Sequence, residues 1–406
     1  LSRYRGEVRP FKVGPDFIDP IFHKRVSGNW SVNLDTFIMS EEQVRWLYSK
    51  YGDKRVSIIE GVMGFYDGED RGCSTYSVTK ALDIPTLLVI DASGSYITIS
   101  ALLKGILEYK RDNTVRGVIL NRVSSEMHYR LIKRQIESDH SSIEVLGWIK
   151  RELPSLKSTH LGLDLEDLSS IDYISKEVLE SVDIERLESI FRRDFKPKKY
   201  SGYPFPEIEK IDGKISVVFD RNFSFLYYDN LQFLKESFRE VEIIDSTRDD
   251  RVSEDSDIVY IAGGYIETDI AYSRVESSDR FRESLIKHSK SKAIYGECAG
   301  LLYLSKRVDD KIMSGILDIE FTLNSRFTRL GYYYSERGIR GHAFHYTKPT
   351  DETLKRGICR LKKRIDSDGE FGSWGRDMVY GTYLHTMFRA TGLKSNGWIL
   401  NFSAST

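Results

Sequence analysis

Through the first 150 residues, short apolar runs alternate with amphipathic stretches. The runs VSIIE (56–60), TLLVID (86–91), GVILNRV (117–123) and IEVLGWI (143–149) are nearly continuous rather than alternating. That pattern predicts parallel strands covered on both faces. Between them, Ser40-Glu41-Glu42-Gln43 has the form of a capping box, followed by apolar Val44, Leu47 and Tyr51. A second helix is predicted over roughly 95–110, with Ile99, Leu102, Leu103 and Ile106 on one stripe. The alternation predicts an open α/β sheet.

From about 151 to 213 the pattern dissolves. Pro154, Pro197, Pro204 and Pro206, clustered Lys196, Lys198 and Lys199, and one acidic helix near 164–194 predict a linker region with a helix of its own. A second α/β alternation follows, in KISVVFD (214–220), VEIID (241–245), DIVYIAGG (257–264), KAIYGECAG (292–300) and MVYGTYLH (378–385). The expected organisation is an α/β domain over 1–150, a linker over 151–213 and a second α/β domain over 214–406.

Composition removes several classes of function. Lys plus Arg total 60 against 61 Asp plus Glu, a net charge of -1, so nothing electrostatic points to nucleic acid or an anionic membrane. No window approaches the ~20 apolar residues of a membrane helix, and the first residues are too polar for a signal peptide. Cys73, Cys298 and Cys359 lie far apart and form neither a zinc spacing nor a disulfide framework. A soluble, cytoplasmic protein is the expectation.

The most specific chemical signal is KAIYGECAGLLY (292–303), an apolar strand running through Gly296-Glu297-Cys298-Ala299-Gly300 into an apolar helix. A nucleophile elbow requires small residues at such a turn, so that the side chain stands clear of the sheet and nearby N–H groups can hold an oxyanion. A cysteine at a helix N-terminus also favours its thiolate. Read alone, a Cys between glycines is more often a small buried residue. Two further pieces favour catalysis. Gly263-Gly264-Tyr265 ends one apolar strand and offers backbone amides, with Gly264 and Ala299 as the candidate oxyanion donors. His385 ends another strand, where an imidazole and a thiol can meet across the sheet edge.

These three pieces, in this order, resemble a class I glutamine amidotransferase domain of the cobalamin-synthesis branch. The resemblance implies a glutamyl thioester on Cys298, His385 as base and release of ammonia. Many such domains carry Glu two residues after the His. Here that position is Met387, which leaves the group orienting His385 unidentified. Ile266 stands where Pro is usual, and Gly341-His342-Ala343-Phe344-His345-Tyr346 resembles the branch's Gly-His-Glu-Phe-His motif with Ala343 for Glu. His342 and His345 also read as ordinary loop histidines.

In the N-terminal half, FKVGPDFIDPIFH (11–23) places Asp16 and Asp19 on a rigid turn after Gly14-Pro15. Two such carboxylates can coordinate a hard cation or meet an ATP–metal complex, or simply form a solvated Asx turn. VSIIEGVMGFYDG puts Glu60 at the tip of a buried strand, then two glycines, then Asp67. Nucleotide-binding sheets place metal-holding groups at such strand ends. Asn121, at the end of GVILNRV, can read an adenine edge.

Together KVGPDFIDPIFH, NLDTFIM (33–39), IEGVMGFYDG, STYSVTKALDIPTLLVIDASG (74–94), GVILNRVSSEMHY and THLGL (159–163) resemble the cobyrinic acid a,c-diamide synthase family over roughly residues 8–390. The resemblance implies a dethiobiotin-synthetase-like P-loop NTPase sheet followed by the amidotransferase domain. ATP and Mg²⁺ would activate the a and c acetate carboxylates of cobyrinate as acyl phosphates, and ammonia from L-glutamine would amidate them. By position Asp16 and Glu60 match the metal and catalytic carboxylates, while Asp19 and Asp67 match carboxylates near ATP or the substrate; Asn121 is the candidate nucleotide-binding residue from its strand end. Phe17 replaces a Tyr, removing one hydroxyl. A homodimer is expected by analogy with that fold.

The family opens with a strand and a Gly-Lys-Thr phosphate loop, and no G-x-x-x-x-G-K-[ST] occurs here. LSRYRGEVRPFKVGPD resembles the end of the first helix entering the second strand. The expectation is a chain without that first segment, which alone binds ATP poorly. Ni-sirohydrochlorin a,c-diamide synthases share the motifs, and a non-enzymatic relative lacking the P-loop is the alternative of another class.

Overall fold

The computed structural model describes residues 7–54, 56–154, 158–159, 162–163, 168–193, 198, 200–208 and 210–391. The chain forms two compact units, Leu1–Tyr203 and Pro204–Thr406. Leu1 to Gly6, and His160 and Leu161 of the THLGL segment, lie outside the described residues.

The first unit begins with β1 (Val8–Val13), α1 (Ile18–Ser27), β2 (Val32–Leu34), α2 (Glu41–Tyr51) and β3 (Val56–Glu60). It continues through α3 (Thr75–Leu82), β4 (Thr86–Asp91), α4 (Ile97–Tyr109), β5 (Val115–Val123), α5 (Glu126–Asp139) and β6 (Glu144–Lys150). A short ladder of β7 (Ser158–Thr159) with β8 (Gly162–Leu163) follows, then α6 (Leu168–Ser181) and α7 (Ile184–Arg193). All pairings among β1 to β6 are parallel, in two three-stranded sheets of order β2-β1-β3 and β4-β5-β6.

The capping box forms as the sequence predicts. The Gln43 N–H donates to the Ser40 hydroxyl, the Gln43 side chain accepts from the Ser40 N–H, and Val44, Leu47 and Tyr51 are buried. Such a cap contributes about 1 kcal/mol. Two sequence expectations are corrected, on α4 and in the linker. The α/β sheet lies in two three-stranded pieces, and Ile58 on β3 and Val89 on β4 are exposed at their edges. On α4, Ile99 and Leu103 are buried but Leu102 is exposed. Leu102 sits about 60° around the helix from Ile99, at the rim of the stripe. Lastly, two helices occupy the region read as a linker with one helix. Val178, Leu187 and Ile190 pack with Ile119 and Leu146, covering the face of β5 and β6 opposite α4 and α5. The break between α6 and α7 falls where Val182 bridges Gly147, and Asp183 N–H donates to the Leu146 carbonyl.

The second unit runs β9 (Ile211–Val218), α8 (Tyr228–Ser237), β10 (Phe238–Ile244), β11 (Ile258–Ile261), α9 (Asp269–Val275), α10 (Asp279–His288), β12 (Ala293–Glu297) and α11 (Ala299–Leu304). Then come β13 (Arg307–Val308), β14 (Lys311–Ile312), β15 (Glu320–Leu323), β16 (Arg329–Ser335), β17 (Arg340–His345), β18 (Thr347–Pro349) and α12 (Asp351–Lys355). It closes with β19 (Cys359–Lys362), β20 (Glu370–Arg376), β21 (Val379–Thr382) and α13 (Phe388–Thr391). Nine strands form one sheet of order β10-β9-β11-β12-β21-β20-β19-β16-β17, parallel as far as β21 and antiparallel beyond. The antiparallel part curls back, because His342 on β17 exchanges both backbone hydrogen bonds with His385 just past β21 (2.9 and 2.7 Å).

That closure fixes the stretch carrying His385, and the far side is fixed from α8. Asn230, buried, donates to the Thr386 carbonyl (2.8 Å) and accepts from the Phe388 N–H (2.8 Å). Arg389, 1% exposed, pairs with Asp229 and Glu236 of the same helix. Breaking a buried pair of this kind from one side costs about 3–5 kcal/mol.

Candidate active site

At the end of β12 the backbone turns sharply. Cys298 has φ 49° and ψ -104°, a conformation disfavoured for any residue with a Cβ, and its N–H donates to the Thr382 carbonyl (2.7 Å). The sequence makes the turn possible through glycines on either side. A Cβ on Gly296 would stand 2.7 Å from the Gly300 backbone, and one on Gly300 would stand 2.4 Å from the Ile261 carbonyl oxygen. Cys298 is buried with its Sγ 3.8 Å from the Phe344 carbonyl oxygen, and Ala299 opens α11 with an N–H that no intrahelical carbonyl can reach.

The structure brings His385 to this thiol. Burial alone disfavours the imidazolium, but hydrogen bonding to Cys298 and Glu297 outweighs it and raises the His385 pKa to about 9. Gly263 lies beneath the ring, where an added Cβ would stand 2.2 Å from His385 Cε1. Gly264 has φ 153° and passes so close to Asn222 that a Cβ would meet its carbonyl oxygen at 2.0 Å. Gly263 thus lies against the His385 ring, and Ala299 directly follows Cys298 in the chain. Phe225 flanks the ring, with centroids 6.3 Å apart.

His342 and His345 are not loop residues, because both lie on β17 in the closing ladder. Burial, then the neighbouring His385, lowers the His342 pKa to about 3, so it is neutral. His345 stacks on Tyr383 at 3.5 Å and its Nδ1 donates to the Thr347 carbonyl (2.9 Å). The group beside His385 that sequence reasoning left unidentified is Glu297, whose Oε2 is 3.4 Å from His385 Nδ1. A carboxylate in the otherwise apolar strand AIYGE was the available signal.

In the first unit, Asp16, Asp19 and Glu60 converge on one ammonium group that sequence reasoning missed. Lys12 Nζ, on the buried strand β1, is 2.6 Å from Asp19 Oδ2, 3.5 Å from Glu60 Oε2 and 3.6 Å from Asp16 Oδ2. It also donates to the Gly61 carbonyl (3.2 Å). Burial opposes the charge on Lys12, but Asp19 and the other two carboxylates reverse the effect and raise its pKa. Asp16 is raised by burial and then by the charge of Asp19, while Lys12 holds Asp19 below the usual range despite burial. His23, buried on α1, places Nε2 at 2.5 Å from Glu60 Oε2 and Nδ1 at 3.1 Å from the Ser31 hydroxyl. The signals for both were in the sequence, as one lysine in an apolar strand and one histidine at helical spacing from Asp16 and Asp19.

Asp67 and Asn121 join this cluster through no contact among the described residues. Asp67 accepts from the Gly64 N–H (2.7 Å) as a turn cap, and Asn121 Oδ1 accepts from Arg122 N–H (2.9 Å) at the tip of β5. Among the described residues no group of three or more His, Cys, Asp or Glu side chains has the arrangement of a metal cage. Mg²⁺ rarely needs one, since it takes one or two carboxylates and completes its shell with phosphate and water. The hard oxygen donors of Asp16 and Glu60 fit that mode. Among the described residues no helix is long and apolar enough to cross a membrane.

Residues 214–392 match the CobB/CobQ-like glutamine amidotransferase domain, and residues 21–158 match an AAA domain. Fold and site thus define a glutamine amidotransferase joined to an NTPase-type α/β unit, the fold class the sequence predicts. Cobyrinate a,c-diamide synthases of Caldanaerobacter subterraneus, Saccharolobus solfataricus and Methanocaldococcus jannaschii are 36%, 35% and 35% identical to this chain. The alignments cover 84%, 88% and 93% of this chain and 80%, 85% and 88% of those proteins. The chain belongs to the cobyrinate a,c-diamide synthase family.

Proposed function

We propose that the protein amidates the a and c acetate carboxylates of cobyrinate, using ATP and L-glutamine. The observation that carries the reading is the pairing of Cys298, held in a strained elbow, with His385. In the glutaminase half, the sulfur of Cys298 attacks the side-chain amide carbon of glutamine, and the N–H groups of Gly264 and Ala299 hold the resulting oxyanion. His385 gives its proton to the departing nitrogen, so ammonia leaves and a thioester remains. Water, deprotonated by His385, then hydrolyses the thioester to glutamate and restores the thiol.

In the synthetase half, a cobyrinate carboxylate oxygen attacks the terminal phosphorus of ATP, releasing ADP and leaving an acyl phosphate. Ammonia displaces phosphate from that carbon and forms the amide. A carboxylate needs this step because oxide is too poor a leaving group. Asp16 and Glu60 would hold Mg²⁺, which supplies charge neutralisation at the phosphates. Lys12 adds a fixed positive charge among Asp16, Asp19 and Glu60. Asp67 and Asn121 would meet the nucleotide at the strand ends.

The test is incubation of the protein, in a form that carries the family's Gly-Lys-Thr phosphate loop, with cobyrinate, glutamine and ATP, with products read by mass. Formation of the a,c-diamide is expected. Amidation of Ni-sirohydrochlorin in its place would move the substrate, and no amidation of either would defeat the reading. A local prediction follows from the contact beneath the imidazole. Gly263→Ala is expected to displace the His385 ring and lower glutamine hydrolysis by about 10²-fold, with ammonia-dependent amidation retained. Steady-state glutaminase assays check it.

A further inference from the structure

We propose that Glu297 is the third member of the glutaminase site, a positioning residue that orients His385 from the place immediately before the nucleophile. The proposal rests on the glutaminase reading above. It places on β12 the carboxylate that many class I domains carry just after the histidine, where this chain has Met387.

Side chains on a strand alternate between faces, so Tyr295 and Glu297 share one face of β12 while Gly296 takes the other. Tyr260 is the register partner of Tyr295 on the neighbouring parallel strand β11, and their rings stack with centroids 5.6 Å apart. Both phenols reach along the sheet to the same carboxyl group. Tyr260 Oη donates to Glu297 Oε2 (3.0 Å) and Tyr295 Oη donates to Oε1 (2.9 Å). Each oxygen is thus held by one hydroxyl, and the carboxyl plane is fixed before His385 is considered.

The remaining direction from Oε2 leads to His385 Nδ1 at 3.4 Å, longer than the shortest hydrogen bonds but within ion-pair range. Glu297 is 1% exposed and His385 is wholly buried. A carboxylate taken out of water keeps its charge only with donors or a cation around it. Among the described residues, no lysine or arginine forms an ion pair with Glu297, and its one cationic partner is His385. The carboxylate therefore favours the imidazolium, fixes Nδ1 as the protonated nitrogen, and leaves Nε2 to exchange the proton with Cys298. Burial holds both tyrosines far above their ordinary pKa, so they remain donors.

The groups facing the imidazole are Glu297 of β12, Cys298 at the start of α11 and His342 and His345 of β17, both held neutral chiefly by burial, with Phe225 against the ring. Glu297 is the one whose charge can be removed while its shape and one of its two acceptor oxygens are kept. Glu297→Gln in the full protein is expected to lower kcat for glutamine hydrolysis by about 10²- to 10⁴-fold with KM nearly unchanged. The descending limb of its pH profile should move to lower pH by roughly one unit, because the imidazolium loses its counter-charge. Ammonia-dependent amidation should persist. Tyr260→Phe is expected to move kcat and the limb in the same direction by less, and it carries the test alone if Glu297→Gln does not fold. An unchanged kcat and limb in whichever variant folds would overturn the proposal. Cys298→Ala, run alongside, separates the two ideas, since glutamine-dependent turnover surviving that change defeats the glutaminase reading itself.

Discussion

Cys298→Ala is expected to eliminate glutamine-dependent amidation while leaving amidation from added ammonium salts intact. In the proposed mechanism the sulfur is the atom that bonds to the glutamine carbon, and a methyl group cannot replace it. Ser305 and Ser373 are buried and engaged with the Leu302 carbonyl and Thr382. Loss of a nucleophile of this type costs roughly four orders of magnitude or more. The synthetase chemistry does not use Cys298, so ammonia supplied from solution should restore product. Parallel measurement of product with each nitrogen source decides the matter. Equal loss with both sources would mean that Cys298 holds the fold rather than acting on glutamine.

The same site fixes the sign of the pH dependence. His385 is raised to about 9 by Cys298 and Glu297 against the effect of burial. A histidine raised in the folded state contributes stability that is complete below its unfolded pKa of about 6.5 and fades as pH climbs through the folded value. In the proposed mechanism the imidazolium protonates the leaving nitrogen, so glutaminase activity should decline in the same direction as pH rises through about 9.

How much of this was legible in the sequence depended on whether neighbours in space were neighbours in the chain. The elbow was readable because glycines, Cys298 and the first turn of α11 are consecutive, and steric crowding at a tight turn acts over just those residues. The Ser40 cap was readable for the same reason. Glu297 stood in plain view beside Cys298, yet its role required His385 and Tyr260, which reach it only through sheet pairing. Lys12 was hidden differently. On β1 it reads as an interruption in an apolar strand, and its meaning appears only when Asp16, Asp19 and Glu60 close around it. Leu102 misled because helical periodicity locates a stripe but not its edge. The break between α6 and α7 was invisible because it is imposed by packing on β6 rather than by a proline or glycine.

Lys12→Met is expected to stop amidation from either nitrogen source while glutamine hydrolysis at Cys298 continues, the reverse of the pattern for the cysteine variant. Three carboxylates lie within 3.6 Å of the Lys12 nitrogen, and the lysine is the shared cation among the described residues. Without it, their mutual repulsion in a partly buried site is relieved by taking up protons, and Asp16 already sits above the ordinary carboxylate range. A protonated Asp16 cannot hold Mg²⁺, and Glu60 would retain His23 as its close partner at 2.5 Å. Removing one fixed charge from a phosphoryl-transfer site costs roughly 10²- to 10³-fold. Trapping of the acyl phosphate with hydroxylamine, and ADP release in the presence of cobyrinate, read that step directly. Asp16→Asn should fail in the same assay, since it removes a carboxylate from the same cluster. Full trapping by the Lys12 variant would show that the carboxylates work without the ammonium and that its place on β1 is structural.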